Sequence, residues 1–454
     1  MKIVIVGCGK VGKTIIESLA EENHELIAID NNAKIVNEIR NLYDVIAITG
    51  SGTEYQTLKQ AGIESCELFI AVTGSDEFNM LSCFVARKMG AKYTLARIRD
   101  LENNDDSLSF INEQLELSMA VNPERMTAEA IYNVLKLPSA IKVDSFSSGN
   151  FKMIELLLDK DSPLSGVQLM DLRKNNKLDF IVCAVEREGI SYVPNGAFTL
   201  NGGDKLAVIT SKRSAHKLIS VFEIQNIQVK DVLILGAGTI SSYLAKLLLA
   251  DKHRVKIIEK NEAVCQELCE SLPDSLTVIN GDGMSQDLLI EEGILTTDAF
   301  IALTGRDQDN ILMSFYAMSK EVPKVISKVN SDELSLIAEN LSLSCTVSPQ
   351  KIVADEIVKY ARALENSIGS QIETLYTIFG EEIEALEFKV LPDFEYTNIP
   401  LKNMRFIDNV LIAGITRNNK TLIPNGDDVI LPNDSVIVIA EGKRVLSLSD
   451  IIKR

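Results

Sequence analysis

Two tandem α/β units, each a doubly wound parallel sheet followed by a small α+β lobe, are what this sequence predicts, on three observations. Apolar runs of strand length alternate with helix-length segments. A glycine-rich turn follows the first run of each unit, and the arrangement occurs twice within 454 residues. Gly7-Cys8-Gly9 returns as Gly236-Ala237-Gly238, Thr73-Gly74-Ser75-Asp76 as Thr304-Gly305-Arg306-Asp307, and Pro194-Asn195-Gly196 as Pro424-Asn425-Gly426. Asn79 matches Asn310 and Pro123 matches Pro349. The period is about 230 residues, far too long for a solenoid and half of the chain.

In the first copy, Lys2 to Val6 reads as a strand, followed by a glycine turn and a helix through about Glu22. Strand Glu25 to Ile29, helix Ala33 to Asn41, strand Asp44 to Thr49 and helix Glu54 to Ala61 follow. Strand Leu68 to Val72, a helix through Lys88 and strand Tyr93 to Arg97 complete the alternation. From about residue 142 the texture changes to short strands with hairpin punctuation: Phe180 to Val185, the turn at Glu186 to Gly189, Ile190 to Val193, and Lys205 to Thr210. Between the two parts a helix is expected, capped by Asn122 with Pro123 at its first position. Its apolar stripe, Met126, Ala130 and Val134 beside Ile131 and Leu135, packs on its own lobe or serves as a partner helix in an oligomer. The lobes are drawn at 1–121, 142–222, 229–348 and 368–454.

Composition narrows the class of protein. With 46 Lys plus Arg against 64 Asp plus Glu, the net charge is −18, which argues against nucleic acid as the main partner. No apolar run reaches the ~20 residues of a membrane-spanning helix, and the N-terminal run is too short for a signal peptide. Seven cysteines without a disulfide-like frame suit a reducing, cytoplasmic setting. Cys265 and Cys269, four apart on a helix, read as buried thiols rather than half of a zinc site. His24 and His253 are repeat equivalents and read as structural, and His216 as exposed. Neither a nucleophile–base set nor a convergent acid/base pair emerges.

The glycine loops carry the chemistry. Gly7-x-Gly9-x-x-Gly12 follows a strand and opens a helix, the arrangement in which a pyrophosphate meets backbone N–H groups and the positive end of a helix dipole. Asp30, at the end of the second strand, is placed to bind the ribose hydroxyls and to favour NAD over NADP. These features make the lobe Rossmann-like. In the second copy Gly236-x-Gly238-x-x-Ser241 substitutes serine for the third glycine, and Glu259 stands where Asp30 does. That copy either binds nucleotide, with altered preference, or is structural. Ser51 and Thr53, Thr73 and Gly74, and in the second copy Gly281 and Asp282, Thr304 and Gly305, follow later strands where such a sheet opens. Arg97 ends the fifth strand and could reach a phosphate, with Lys328 as its counterpart. Asp76 and Asp307 read as helix caps.

The order GCGKVG…AID…TGSDEFN…VNPE…VPNG, repeated as GAGTIS…IIEK…INGDG…LTGRDQDN…VSPQ…IPNG, resembles the TrkA family of potassium uptake proteins, whose members join two RCK (regulator of potassium conductance) units. The resemblance implies a nucleotide-binding regulatory subunit, not an enzyme, peripheral at the inner face of the plasma membrane. It implies a Trk-type integral membrane potassium transporter as partner, a homotetrameric ring, and NAD(H) as ligand, with ATP or ADP as alternatives. By position it assigns Gly7, Cys8, Gly9, Lys10, Val11, Asp30, Thr73, Gly74 and Arg97 to one nucleotide site. The other would use Gly236, Ala237, Gly238, Thr239, Ile240, Glu259, Gly281, Asp282, Thr304 and Gly305. Two departures from the family pattern are Ser241 and Gly50-Ser51-Gly52, which stands where the family commonly has Gly-Asp. A soluble two-Rossmann NAD-dependent oxidoreductase is the alternative reading, and a purely structural scaffold a third.

Overall fold

The computed structural model describes residues 1–20, 24–99, 113–146, 149–175, 179–222, 228–343, 345–366, 372–379, 383–442, 445 and 447–453. The far end of the first helix at Glu22 lies outside them, and the side chain of His216 lies outside the described side chains. In the first sheet, β1 (Lys2–Val6), β2 (Glu25–Asp30), β3 (Ile46–Thr49), β4 (Leu68–Ala71), β5 (Tyr93–Arg97) and β6 (Met119–Val121) run in the order β3-β2-β1-β4-β5-β6. Every pair is parallel. The order reverses at β1/β4, so the crevice opens beside the carboxyl ends of these two strands. β1 and β4 are almost wholly apolar and buried because helices cover both faces of the sheet. The strand β6 has only three residues and was not anticipated from the sequence.

The matching sheet is built from β12 (Asp231–Leu235), β13 (Arg254–Glu259), β14 (Thr277–Asn280), β15 (Ala299–Ala302), β16 (Lys324–Lys328) and β17 (Thr346–Val347), ordered β14-β13-β12-β15-β16-β17. Each small lobe is a five-stranded sheet. The first has β7 (Ala140–Phe146), β8 (Phe151–Leu157), β9 (Phe180–Arg187), β10 (Ile190–Tyr192) and β11 (Lys205–Ser211), ordered β10-β9-β11-β8-β7. The second has β18 (Ile372–Ile378), β19 (Ile383–Lys389), β20 (Val410–Arg417), β21 (Lys420–Leu422) and β22 (Ser435–Glu441), ordered β18-β19-β22-β20-β21. The turn expected at Glu186 begins two residues later, because Glu186 and Arg187 pair with Ser191 and Ile190.

The chain divides into two compact units that do not follow the sequence repeat. One comprises residues 1–129, 328–332 and 347–361; the other comprises 130–327, 333–346 and 362–454. Most of the helix Pro349–Asn366, which belongs to the second copy, therefore lies in the unit of the first sheet, where Tyr360 hydrogen-bonds Ser118. The far half of the helix Pro123–Lys136 lies in the unit of the second sheet, where its Tyr132 hydroxyl donates to Asp251 (3.1 Å). Asn122 caps this helix as expected, accepting from the Arg125 N–H at 2.9 Å. Its buried line is Thr127, Ala128, Ile131, Val134 and Leu135, whereas Met126 and Ala130 are half-buried.

Within the second unit the two small lobes share a core. Phe146, Phe151, Met153 and Ile209 of the first pack with Ile378, Ile383, Ile437 and Ile439 of the second. Phe146 meets Tyr376 edge-on at 4.7 Å, and the Tyr376 hydroxyl donates to the Ser145 carbonyl. Each such buried side chain contributes about 2 kcal/mol from removal of apolar surface from water. Both lobes are pinned by the same device. Arg187 forks onto Asp204 and reaches the Thr199 carbonyl, as Arg417 forks onto Asp434 and reaches the Val429 carbonyl. Both aspartates are 1% exposed. Planar bidentate pairing offsets the cost of burying these carboxylates.

Candidate functional site: paired glycine crevices

In the first crevice, Gly7 has a φ of +90° and donates to the Ile29 carbonyl, turning the chain at the end of β1. Gly12 lies against that turn: a Cβ there would sit 1.9 Å from the Gly7 carbonyl oxygen. Gly9 is different. Nothing in the chain lies within 4 Å of where its Cβ would be, so its own packing does not demand glycine. The open space in front of it suits a ligand that must approach the backbone closely, as a pyrophosphate does. Gly9 and Lys10 are exposed, while Cys8 and Val11 are buried and can offer only backbone. Burial and the neighbouring Asp30 push the Cys8 thiol up to about 12, so it is no nucleophile near neutrality.

Asp30 faces the loop from the end of β2. One oxygen accepts the Cys8 N–H and the other the Asn32 N–H, both at 2.8 Å. A carboxylate offers about four acceptor positions, so each oxygen retains capacity for a ribose hydroxyl. Beyond β3, the Gly50 N–H donates to the Asp30 carbonyl. Ser51 and Thr53 close a local turn, their hydroxyls 3.0 Å apart. Gly50 and Gly52 are packing glycines, with Cβ positions 2.4 Å from Thr57 and Val6 side-chain atoms.

After β4, the loop Thr73-Gly74 is fixed by Asn79, which is wholly buried. Its Oδ1 accepts from the Thr73 N–H and hydroxyl at 2.8 and 2.7 Å, and its Nδ2 donates to the Thr73 and Arg97 carbonyls. Asn79 thus ties the ends of β4 and β5 together. The equal spacing of Asn79 and Asn310 in both copies was the available signal for this role. The cap of the helix Asp76–Lys88 is Ser75, which accepts from the Phe78 N–H, and not Asp76. Asp76 instead accepts from the Arg99 N–H at 2.6 Å, and the Arg99 guanidinium also reaches the Gly74 carbonyl. Arg97, expected to point at a phosphate, is held by Glu124 in the first turn of the helix Pro123–Lys136, at 2.9 Å. Neither Arg99 nor Glu124 was singled out from the sequence, because both act through partners more than twenty residues away.

The second crevice repeats this frame. Gly236 has a φ of +96° and donates to the Ile258 carbonyl, and Gly238 has open space where Gly9 does. Glu259 accepts the Ala237 N–H (3.0 Å) and the Asn261 N–H (2.9 Å), as Asp30 does with shorter reach. Ala237 and Ile240 are buried, Thr239 exposed. Ser241 is fully buried and donates its hydroxyl to the Gly236 carbonyl at 2.6 Å. The departure from glycine therefore replaces close backbone packing with a hydrogen bond. Gly281 follows the first-copy pattern, donating to the Glu259 carbonyl, and Asp282 accepts the Met284 N–H much as Ser51 accepts that of Thr53. Thr304 is locked by buried Asn310 at the same 2.8 and 2.7 Å, and Gly305 is exposed beside it.

The expectation of two buried thiols in the helix Glu262–Ser271 needs correcting. Cys265 is buried but Cys269 is exposed, because Leu268 takes the inward position one turn on. His24 contacts the chain's N-terminal amine and His253 the Leu248 carbonyl, both structural roles. No helix among the described residues is long and apolar enough to cross a membrane.

The sequence matches the TrkA-N domain over residues 3–123 and 232–349, and the TrkA-C domain over 153–223 and 385–453. The Trk system potassium uptake protein TrkA homolog of Archaeoglobus fulgidus is 30% identical over 453 residues, covering 100% of both chains. Among solved structures, the GsuK channel bound to NAD aligns with a TM-score of 0.63 at 17% identity, over 97% of this chain and 76% of that one. GsuK bound to ADP aligns with a TM-score of 0.51 at 14% identity, over 81% and 69%. With two TrkA-N and two TrkA-C domains spread over nearly its whole length, the chain belongs to the TrkA family.

Proposed function

We propose that this protein is the cytoplasmic, nucleotide-binding regulatory subunit of a membrane potassium uptake transporter, acting as a sensor rather than an enzyme. The observation that carries the reading is the built crevice in each copy: an open glycine at the phosphate position with an acidic residue fixed beside it, in a chain of the TrkA family. The related names and titles point the same way, to potassium uptake and to RCK-type proteins bound to NAD and to ADP. NAD(H), ATP and ADP are the candidate ligands, their phosphates over Gly7–Val11 or Gly236–Ile240 and their ribose on Asp30 or Glu259. The loops at Ser51 and Thr53, Thr73 and Gly74, Gly281 and Asp282, and Thr304 and Gly305 would border the ligand. The partner is an integral Trk-type transporter subunit, the assembly a homotetrameric ring, and the lobes those drawn at 1–121, 142–222, 229–348 and 368–454.

Ligand binding supplies no chemistry here; it shifts a population. A nucleotide that prefers one ring state tenfold biases it by about 1.4 kcal/mol per site, and several sites acting together give a decisive shift. Asp30→Ala should weaken NADH binding to the first crevice about a hundredfold or more, the loss of two charged hydrogen bonds to ribose at about 1.5 kcal/mol or more each. Potassium uptake by vesicles carrying the transporter should then lose its nucleotide dependence. Full regulation with binding at Asp30 abolished would sink the reading.

A further inference from the structure

We propose that Arg97 and Glu124 form a latch through which phosphate occupancy of the first crevice controls the helix Pro123–Lys136. The pair is enclosed, the two side chains being 14% and 20% exposed, yet it makes a single contact, Nη2 to Oε1 at 2.9 Å. Arg97 Nε and Glu124 Oε2 are both buried with no hydrogen-bond partner among the described residues. A partly buried ion pair in this state carries desolvation cost without the full return of a fork-to-fork contact. An incoming phosphate offers three oxygens to a guanidinium that has an unused donor, and so competes on favourable terms with one carboxylate.

The route from ligand to helix is continuous in named contacts. Gly74 and Thr73 border the crevice; Asn79 bonds both the Thr73 and Arg97 carbonyls; Arg97 holds Glu124 in the helix's first turn. If a phosphate draws Arg97 away, Glu124 loses its counter-charge and the turn it anchors is released. The second copy carries Lys328 and Gln350 at the matching sequence positions, so an amide stands there in place of the latch carboxylate. Phosphate coupling to the linker helix is thereby assigned to the first copy alone.

The latch presupposes nucleotide binding at this crevice, and the test separates the two ideas. ADP is the probe, with the full-length chain. Binding is measured by titration calorimetry and the helix by hydrogen exchange of the amides at 125–129. Wild type should show faster exchange in that turn when ADP is added. Glu124→Gln, which installs the second copy's own residue, should bind ADP three- to tenfold tighter, because Arg97 is no longer contested, and its turn should exchange fast with or without ADP. Arg97→Lys should bind ADP more weakly than wild type. If Glu124→Gln leaves ADP affinity within twofold of wild type, or the wild-type turn ignores bound ADP, the latch is wrong while nucleotide binding stands. If wild type binds neither ADP nor NADH, the nucleotide reading itself fails and the latch with it.

Discussion

The two glycine crevices keep one backbone frame and settle it by different contacts. In the first, the helix comes so close to the turn that Gly12 leaves no room for a Cβ, and Asp30 is short enough to sit directly under the loop. In the second, Ser241 fills that place and replaces backbone contact with a hydrogen bond to the Gly236 carbonyl, while the longer Glu259 spans to the loop. The lesson is that the third glycine of this motif is a statement about helix approach, not about the ligand. What both copies keep without compromise is the open space at Gly9 and Gly238 and the asparagine lock on the loop after the fourth strand.

Gly12→Ser would break the comparison most forcefully. The Gly7 carbonyl must move to admit the new Cβ, and a loss of about 3 kcal/mol or more is expected, read as a lower urea midpoint. Ser241→Gly, the reverse exchange, should cost only about 1 kcal/mol, from a hydrogen bond and helix entropy. Equal effects would mean that the two helices approach their turns alike.

The small lobes offer a second contrast. Glu155 and Glu387 occupy equivalent buried places on β8 and β19, but Glu387 accepts from the Ser435 hydroxyl, whereas the first lobe has Lys205, paired with Glu186, in place of that serine. Burial, only partly opposed by Lys142, raises the Glu155 carboxyl to about 7. Its protonated form is favoured in the folded chain, so between the ordinary carboxylate range and pH 7 the folded state binds more protons than the unfolded. Stability therefore falls as pH rises through that window, by up to about 3 kcal/mol from this group. Glu155→Gln should flatten the dependence and raise the melting temperature above pH 7; an unchanged pH profile would show that Glu155 is solvated.

The smallest effect concerns a missing cap. Ser75 caps the helix Asp76–Lys88 through its hydroxyl, while Arg306, at the start of Asp307–Ser319, makes no side-chain cap. Its ion pair with Asp309, 3.6 Å apart and with the arginine 73% exposed, adds little. Arg306→Ser should therefore stabilise the second sheet's unit by about 1 kcal/mol, measured by chemical denaturation; no gain would imply that the helix start is already satisfied.

The alternation of strands and helices and the two glycine turns were legible because both rest on local signals: apolar runs bounded by turns, and glycines whose spacing leaves few alternatives. The chain of contacts from Asn79 through Arg97 to Glu124 was not, since it joins three elements that periodicity treats separately. The sequence placed Met126, Ala130 and Val134 on the linker stripe beside Ile131 and Leu135; Val134, Ile131 and Leu135 are buried, but Ala128 takes the inward place expected of Met126 and Ala130. Both lines are apolar, and only the surface they meet decides between them. β6 was missed for a related reason, three residues being too few for alternation to register.

The sharing of linker helices between copies also sets an order of events during synthesis. The first sheet's unit draws on residues 347–361, which are made more than two hundred residues after its main body ends at 129. At synthesis rates of roughly 5–20 residues per second, the opening sheet must persist without the surface of that helix for roughly 10 to 50 seconds. Synthesis of that later helix, rather than local collapse, is the step that completes it.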